Sequence, residues 1–367
     1  MATPQIIVVG AGIIGASIAW HLTAAGARVT VVDAGEAGGV ATPNSFAWIN
    51  ASWGNPEPYF RLRIRAMAEW RRLAAAVPGI PLAWTGGLCW DLPPPRLEAY
   101  AREHGGWGYG IRRVDRPEAA RIEPNLAAPP EFALHVAEEG TVEPRIAATA
   151  LLADAERRGA RLQLRTRVNA LARKNDAVVG IETATGRLAA DEVVLAAGAD
   201  TAALAATAGI GVPMTTPPGL LVHSRPHARL LNGLVLSPAL HMRQTAEGRI
   251  VIGADFGGGD PGADAAATAR DLFAQTKAML RGADALAFDF HTVGYRPMPA
   301  DEFPVVGRAD AVAGLYLAVT HSGITLAPAL GLFAADEILN TRRDPLLAPY
   351  RPSRFGCRRD ISGAMPP

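Results

Sequence analysis

At 367 residues the chain is long enough for two cores, or for one domain interrupted by another. Apolar residues make up 49% and charged residues 19%, which excludes a disordered chain. Thirty-six basic against 35 acidic side chains leave a formal charge of +1, so there is no general pull toward nucleic acid or an anionic membrane. Lys174 and Lys277 are the two lysines, and arginine supplies the remaining basic residues. Two cysteines, Cys89 and Cys357, make neither a disulfide framework nor a cysteine zinc site. Neither a basic leader with a cleavage site nor an apolar run of bilayer length is visible, so a soluble cytoplasmic protein is expected.

In chain order, residues 5–9 are a continuous Ile/Val run, as in a parallel strand buried on both faces. Gly10-Ala11-Gly12-Ile13-Ile14-Gly15 follows, then a helix over 16–25 closed by Gly26, and a second strand over 28–32 ending at Asp33. Beyond residue 46 the regular alternation stops. The spacing predicts an amphipathic helix over 61–77, a strand over 84–92 and a break at Pro93-Pro94-Pro95. Alternation returns with a helix over 145–158 and strands over 161–165, 177–183 and 192–196. Antiparallel strands are expected at 220–223, 234–236 and 249–253, then a helix over 264–280. A strand over 314–319, a loop and a helix over 326–339 complete the pattern. It reads as a nucleotide domain in three segments with a second domain inserted twice.

The glycine fingerprint has a physical basis. Gly10 permits the tight turn, Gly12 lets the backbone approach a pyrophosphate, and Gly15 lets helix and strand pack closely. The helix N-terminus offers free N–H groups and partial positive charge, with Ile13 and Ile14 in its first turn. Asp33 stands where a carboxylate accepts ribose hydroxyls, followed by Ala34, and disfavours a 2′-phosphate. NADP is therefore the least expected ligand, while FAD and NAD both remain open on these residues alone.

Four spaced motifs carry a more specific signal: residues 8–17 (VVGAGIIGAS), 193–199 (VVLAAGA), 294–299 (GYRPMP) and 321–328 (HSGITLAP). Together they resemble the FAD-dependent amine oxidase family that includes glycine oxidase, sarcosine oxidase and D-amino acid oxidase, over residues 5 to about 340. The resemblance implies an α/β chain, α+β overall, with a Rossmann-like FAD-binding domain made of 1–45, 141–215 and 293–345. It implies an antiparallel-sheet substrate domain made of 46–140 and 216–292, and a surface tail over 346–367. Gly10, Gly12, Ile13, Ile14, Gly15, Asp33 and Ala34 would hold the ADP half of FAD. Thr42, Ser45, Phe46 and Ala47 would run along the pyrophosphate and flavin edge, Val168 would meet adenine, and Ala197-Gly198 would close over the dinucleotide. Ser322, Gly323, Ile324 and Thr325 would face the flavin pyrimidine, where N–H donors stabilise developing negative charge. Sarcosine oxidases bind flavin covalently through a cysteine near the position of Tyr295-Arg296. None is present here, so noncovalent FAD is expected.

On the substrate side, the resemblance makes Arg296 the anchor for a carboxylate, a contact suited to a bidentate guanidinium, and places it beside the flavin as well. His241 and Arg243 share a face if 240–244 is a strand. A histidine at 241 departs from the tyrosine common in the family, and is equally at home as a hydrogen-bonded structural residue. Phe256 is a candidate for the pocket roof and His321 for the flavin-facing loop, while Trp48 and Trp53 are candidates to cover the pocket. No histidine has metal-ligand spacing and no Gly-x-Ser-x-Gly elbow occurs, so no metal and no hydrolase triad are expected.

The activity implied is oxidation of the Cα–N bond of an amino acid or N-substituted glycine. Hydride would pass to flavin N5, the imine would be hydrolysed, and molecular oxygen would be reduced to hydrogen peroxide. The competing readings are a flavin dehydrogenase passing electrons to a quinone or partner subunit, and a biosynthetic FAD tailoring oxidoreductase acting on a larger amine. The expected partner is a small-molecule amine bearing a carboxylate. Nucleic acid and membrane partners are not expected, and an oligomer is compatible with the sequence.

Overall fold

The structure, a computed structural model, describes residues 3–52, 54–255 and 259–355. Strand Gln5–Val9 lies at the centre of a sheet, parallel to Arg28–Val32 on one side and Glu192–Leu195 on the other. Among the described residues this sheet has six strands, in the order Val305–Arg308, Leu315–Val319, Glu192–Leu195, Gln5–Val9, Arg28–Val32, Arg161–Gln163. Three distant stretches of chain therefore stand side by side. Val305–Arg308, at one edge, is antiparallel to its neighbour. Both faces are covered, which is why the strands read as unbroken apolar runs. Ile6, Val8, Val29 and Val31 pack into one core with helices Ile13–Ala24, Glu57–Ala76, Pro144–Arg157 and Gly323–Asn340. Ile7, Val9, Val193 and Leu195 pack into another, against the meander Val168–Lys174, Ala177–Thr183, Gly186–Ala189.

A second, eight-stranded sheet draws on the stretches between. Its order is Phe288–Tyr295, Pro218–Ser224, Ile250–Gly253, His241–Gln244, Leu234–Leu236, Gly87–Cys89, Phe132–Val136, Ile111–Asp115. Neighbours are antiparallel except Leu234–Leu236 with Gly87–Cys89, where the two inserted stretches meet. Helix Ala265–Met279 covers one face, with Leu272 and Phe273 in its core. A small sheet of Trp48–Ile49, Gly140–Val142 and Leu82–Ala83 ties the two halves together.

Several elements differ from the sequence reading. The first helix starts at Ile13, inside the fingerprint, and the C-terminal helix at Gly323, so two segments expected as loops are first turns of helices. The triple proline is not a break: Pro94 opens helix Pro94–Gly106, because a first-turn residue has no intrahelical N–H bond to lose. The strand expected over 84–92 shrinks to Gly87–Cys89. The tail is not a surface run as far as Phe355. Leu347 and Tyr350 are buried, Arg351 pairs with the buried Glu337, and Arg354 reaches Asp301 at 2.7 Å. Its arginines, which suggested solvent, are held by carboxylates of the body. Residues 356–367 lie outside the described residues.

Candidate functional site

Two cavities meet at a seam formed by Ser45, His321 and Ile324. The larger, about 730 Å³, runs along the carboxyl ends of the central strands. Its wall is rich in glycine and alanine, which leave the backbone close to the space. Gly10 has φ +110°, and a Cβ there would stand 2.3 Å from the Ala196 carbonyl oxygen, so only glycine makes this turn. The Asp33 carboxylate accepts the Ala11 N–H at 2.6 Å and the Gly35 N–H at 2.7 Å, one on each oxygen. Each oxygen keeps a lone pair for a further donor, such as a sugar hydroxyl. Thr42 Oγ1 takes the Ile13 N–H at 3.0 Å, and Gly12, at the helix start, brings no capping side chain. Helix Gly323–Asn340 likewise opens without a side-chain cap, and Gly323 and Ile324 line the same cavity. Two helix N-termini, each a source of unsatisfied N–H groups and partial positive charge, thus face one elongated space.

Of the expected cofactor residues, Gly10, Gly12, Ile13, Ile14, Asp33, Ala34, Thr42, Ser45, Val168, Ala197, Gly198, Gly323 and Ile324 line this cavity. Phe46, Ala47, Ser322, Thr325 and Arg296 line the smaller one. Gly15 lines neither. A Cβ on it would meet the Gly10 carbonyl oxygen at 1.9 Å, so its place is the close packing of helix on turn. The Thr325 hydroxyl donates to the Trp48 carbonyl at 3.2 Å and accepts from the Asn50 N–H at 3.4 Å. It clamps the Trp48–Ile49 strand to the helix at the wall of the smaller cavity.

The smaller cavity, about 410 Å³, is built from side chains. Arg296 follows strand Phe288–Tyr295 and is held by its backbone N–H to Pro217 O, 3.1 Å. Its guanidinium donates to Pro218 O at 3.3 Å, while its buried Nε has no partner. Ala47, at the base of the cavity, takes φ +60°, a strained conformation for a residue with a Cβ, and its N–H donates to Ser45 Oγ at 3.1 Å. His321 is pushed down to about 4, first by burial and then by the positive charges of Arg63 and Arg296, so it is neutral at physiological pH. Trp48 donates its indole N–H to Glu139 at 2.8 Å. Glu139 also accepts from Ser52 and Tyr109, yet burial raises its carboxyl to about 7.

The sequence missed Arg63. It lies on helix Glu57–Ala76, is 6% exposed, and lines the smaller cavity. Its Nε donates to Asn50 O at 3.0 Å, one Nη to Asn50 Oδ1 at 2.7 Å, and the other to Ser322 Oγ at 2.9 Å. The signal was available in the helical spacing. Phe60, Arg63, Met67 and Trp70 fall on the buried stripe, so an arginine occupies a core position.

Two expected substrate residues line neither of these cavities. His241 is buried in its strand with Nε2 3.3 Å from Asp91 Oδ2. Arg243 donates through Nε to Phe46 O and through Nη1 to Glu143 Oε1, 2.9 Å. They share a face, as expected, but that face is packed, and their expected contact with substrate is corrected to support of the loop behind the wall. Phe256 and Trp53 lie outside the described residues. Cys89 is buried in the eight-stranded sheet beside Asp91, its thiol pushed up by burial. Among the described residues no group of histidine, cysteine and acidic side chains could hold a metal, and no helix is long and apolar enough to cross a membrane.

A long backbone-lined groove with an acid at one end and uncapped helix termini along it fits a dinucleotide with a flat redox ring at the seam. Comparison with known proteins agrees. The profile of the family described as "FAD dependent oxidoreductase" matches residues 5–337. A glycine oxidase of Pseudomonas aeruginosa is 30% identical, over 95% of this chain and 98% of its own length. Among solved structures, L-proline dehydrogenase from P. horikoshii superimposes with a TM-score of 0.86 at 25% identity, covering 96% of this chain and 98% of that one. Glycine oxidase from Geobacillus kaustophilus gives 0.85 at 25% identity, covering 96% and 99%.

Proposed function

The chain belongs to the FAD dependent oxidoreductase family, and from that premise we propose that it oxidises the Cα–N bond of an amine carrying a carboxylate, either an amino acid or an N-substituted glycine. FAD, bound without a covalent link, supplies the two-electron acceptor. In this reading the larger cavity holds the dinucleotide, with its pyrophosphate at Gly12 and its ribose at Asp33. The smaller cavity holds the substrate. The six-stranded side of the molecule (1–45, 141–215, 293–345) is the cofactor half, and 46–140 with 216–292 closes over the substrate.

The observation that carries this reading is Arg296, whose buried Nε lacks a partner on the wall next to the seam. A buried unsatisfied donor is costly, and a carboxylate accepting from Nε and Nη relieves it in a two-point grip. That grip fixes the amine's Cα against the seam, which is what the oxidation requires. Neutral His321 adds no competing charge, and its second role is steric, as part of the seam itself. Once the C=N bond has formed, water adds to it and the carbon–nitrogen bond breaks. With molecular oxygen as the final acceptor, the two electrons would leave as hydrogen peroxide. No side chain is assigned the role of a strong base.

The test is an anaerobic absorbance titration of the purified protein with D-, L- and N-alkylated amino acids. Bleaching of the visible flavin band by a carboxylate amine is the expected result. If every carboxylate amine leaves the band unchanged while amines lacking the acid bleach it, the reading is wrong. Resemblance to a named dehydrogenase as well as to named oxidases makes the electron acceptor a separate measurement. Oxygen uptake matching substrate consumption marks an oxidase, and dye reduction with no oxygen uptake marks a dehydrogenase.

A further inference from the structure

Arg63 is the second guanidinium on the wall of the smaller cavity, and its surroundings are unusual for a buried charge. Its hydrogen-bond partners, Asn50, Ser322 and the more distant Tyr59 hydroxyl at 3.5 Å, are all neutral. Neither Arg63 nor Arg296 forms an ion pair among the described residues, whereas the buried Arg243 and the half-buried Arg351 do. The remaining negative groups nearby compensate only in part, and none of them forms an ion pair with Arg63. Glu139 lies behind Trp48 and Ser52, bonded to three donors, with burial lifting its carboxyl to about 7. Glu302 lines the cavity but is exposed. His321, between the two guanidinium charges, is held neutral.

A charge taken out of water without a counter-ion costs several kcal/mol and persists when something else pairs with it. One substrate carboxylate on Arg296 leaves Arg63 without an ion pair among the described residues. The cavity, about 410 Å³, has room for a small molecule with a second anionic end. Arg63 also keeps a donor for it: Nη2 has one hydrogen on Asn50 Oδ1 and a second that no acceptor among the described residues takes.

From this pair we propose that the preferred substrate is an amine bearing two carboxylates, one gripped by Arg296 and the other by Arg63. The inference rests on the functional reading above and narrows it. The chemistry balances as for any amine of this kind. One Cα–H and one N–H bond are lost as C=N forms, two electrons and two protons leave to FAD, and water converts C=N to an oxo acid and a free amine. If the nitrogen lies between the carboxylates, the released amine is itself an amino acid. If it lies on an acidic amino acid, ammonia is released.

The holoenzyme tests this without turnover. The visible spectrum of bound FAD is followed during titration with redox-inert acids, succinate and glutarate against propionate and butyrate. Binding at least about 30-fold tighter for the diacids is expected, since a buried charge pair contributes on the order of 2 kcal/mol or more. In Arg63→Met that ratio should fall toward one, and Arg63→Lys should restore part of it. Equal affinity for both kinds of acid in the wild-type protein overturns the proposal, a result that needs no variant to fold. A turnover arm compares iminodiacetate and glutamate with sarcosine and alanine by anaerobic bleaching. Faster reduction by either diacid than by its mono-acid counterpart supports the proposal, and the better of the two locates the nitrogen. Equal reduction by mono- and dicarboxylate amines removes the inference while leaving the functional reading intact. Reduction by neither, with amines lacking the acid active, removes both.

Discussion

The two cavities share a seam but are made by different means. The larger is built from backbone: a left-handed glycine, helix N-termini and strand ends, with Asp33 as the acid at the end of the second strand. The smaller is built from side chains of four separate stretches, with Trp48, Arg63, Arg296 and His321 converging from all of them. A backbone-built site has few solutions, because φ, close approach and unsatisfied amides constrain it. A side-chain-built site has many, because any stretch that reaches the wall can contribute. Tolerance to substitution should therefore differ sharply between them.

The largest effect is expected where the backbone itself is the site. Gly10→Ala would force a Cβ against the Ala196 carbonyl oxygen, 2.3 Å away, at a φ that L-residues rarely adopt. Strain and collision together should weaken FAD binding by at least about 100-fold, roughly 3 kcal/mol. The ratio of visible to ultraviolet absorbance after gel filtration reads this directly. A fully yellow variant would mean that the turn is less constrained than its geometry indicates.

Next comes the substrate anchor. Arg296→Ala should raise KM for carboxylate amines by about 100-fold, with kcat reduced less, and Arg296→Lys should recover only part of it because an ammonium cannot make the two-point grip. The flavin content should stay as in the wild type, since the Arg296 side chain lines the smaller cavity. Loss of flavin in both variants would instead join Arg296 to the cofactor half and blur the contrast between the regions.

That contrast also governs how much was legible in the sequence. The strand, fingerprint, helix and acid of residues 5–33 were readable because local spacing determines them, and each is where the spacing put it except that the helix opens earlier, at Ile13. Arg63 was not read, though its place on the apolar stripe of a helix marked it. In a chain where arginine is the default cation, one more arginine draws no attention. His241 and Arg243 were read as a shared face correctly, but alternation says nothing of which face is packed, and their partners Asp91 and Glu143 are remote in sequence. Helix Pro94–Gly106 was lost to three prolines, of which one opens it. The tail looked solvent-bound because Glu337 and Asp301, which hold Arg351 and Arg354, cannot be paired with them from sequence.

A smaller effect concerns the support of the side-chain wall. Burial raises the Glu139 carboxyl from 4.5 to about 7 in the folded protein. Between those values the folded state binds more protons than the unfolded one, so this group's stabilisation is full below about pH 4.5 and is lost as pH rises through 7. Glu139→Gln cannot accept all three donors from Trp48, Ser52 and Tyr109, so the variant is less stable than wild type at pH 5. Its deficit should shrink by pH 8, where the wild-type carboxylate is charged and buried. Denaturant melts at the two pH values check the sign. A deficit that grows with pH would show that Glu139 is ionised and well compensated in the folded protein.

The smallest effect on catalysis is expected at His241, and it bears most directly on which residues belong to which region. The ring is 2% exposed, Nε2 lies 3.3 Å from Asp91, and its centroid is 6.4 Å from that of Phe46, whose backbone carbonyl Arg243 holds. His241 lines neither of the two cavities, and Phe46 stands between its ring and the smaller one. Replacing it with Asn keeps a donor near Asp91 and removes ring volume, so stability should fall by about 1–2 kcal/mol while KM changes less than about twofold. Measuring both on one preparation separates packing from recognition. A KM shift as large as that of Arg296→Ala, with little change in melting, would move His241 to the substrate wall and with it the boundary between the packed sheet and the site.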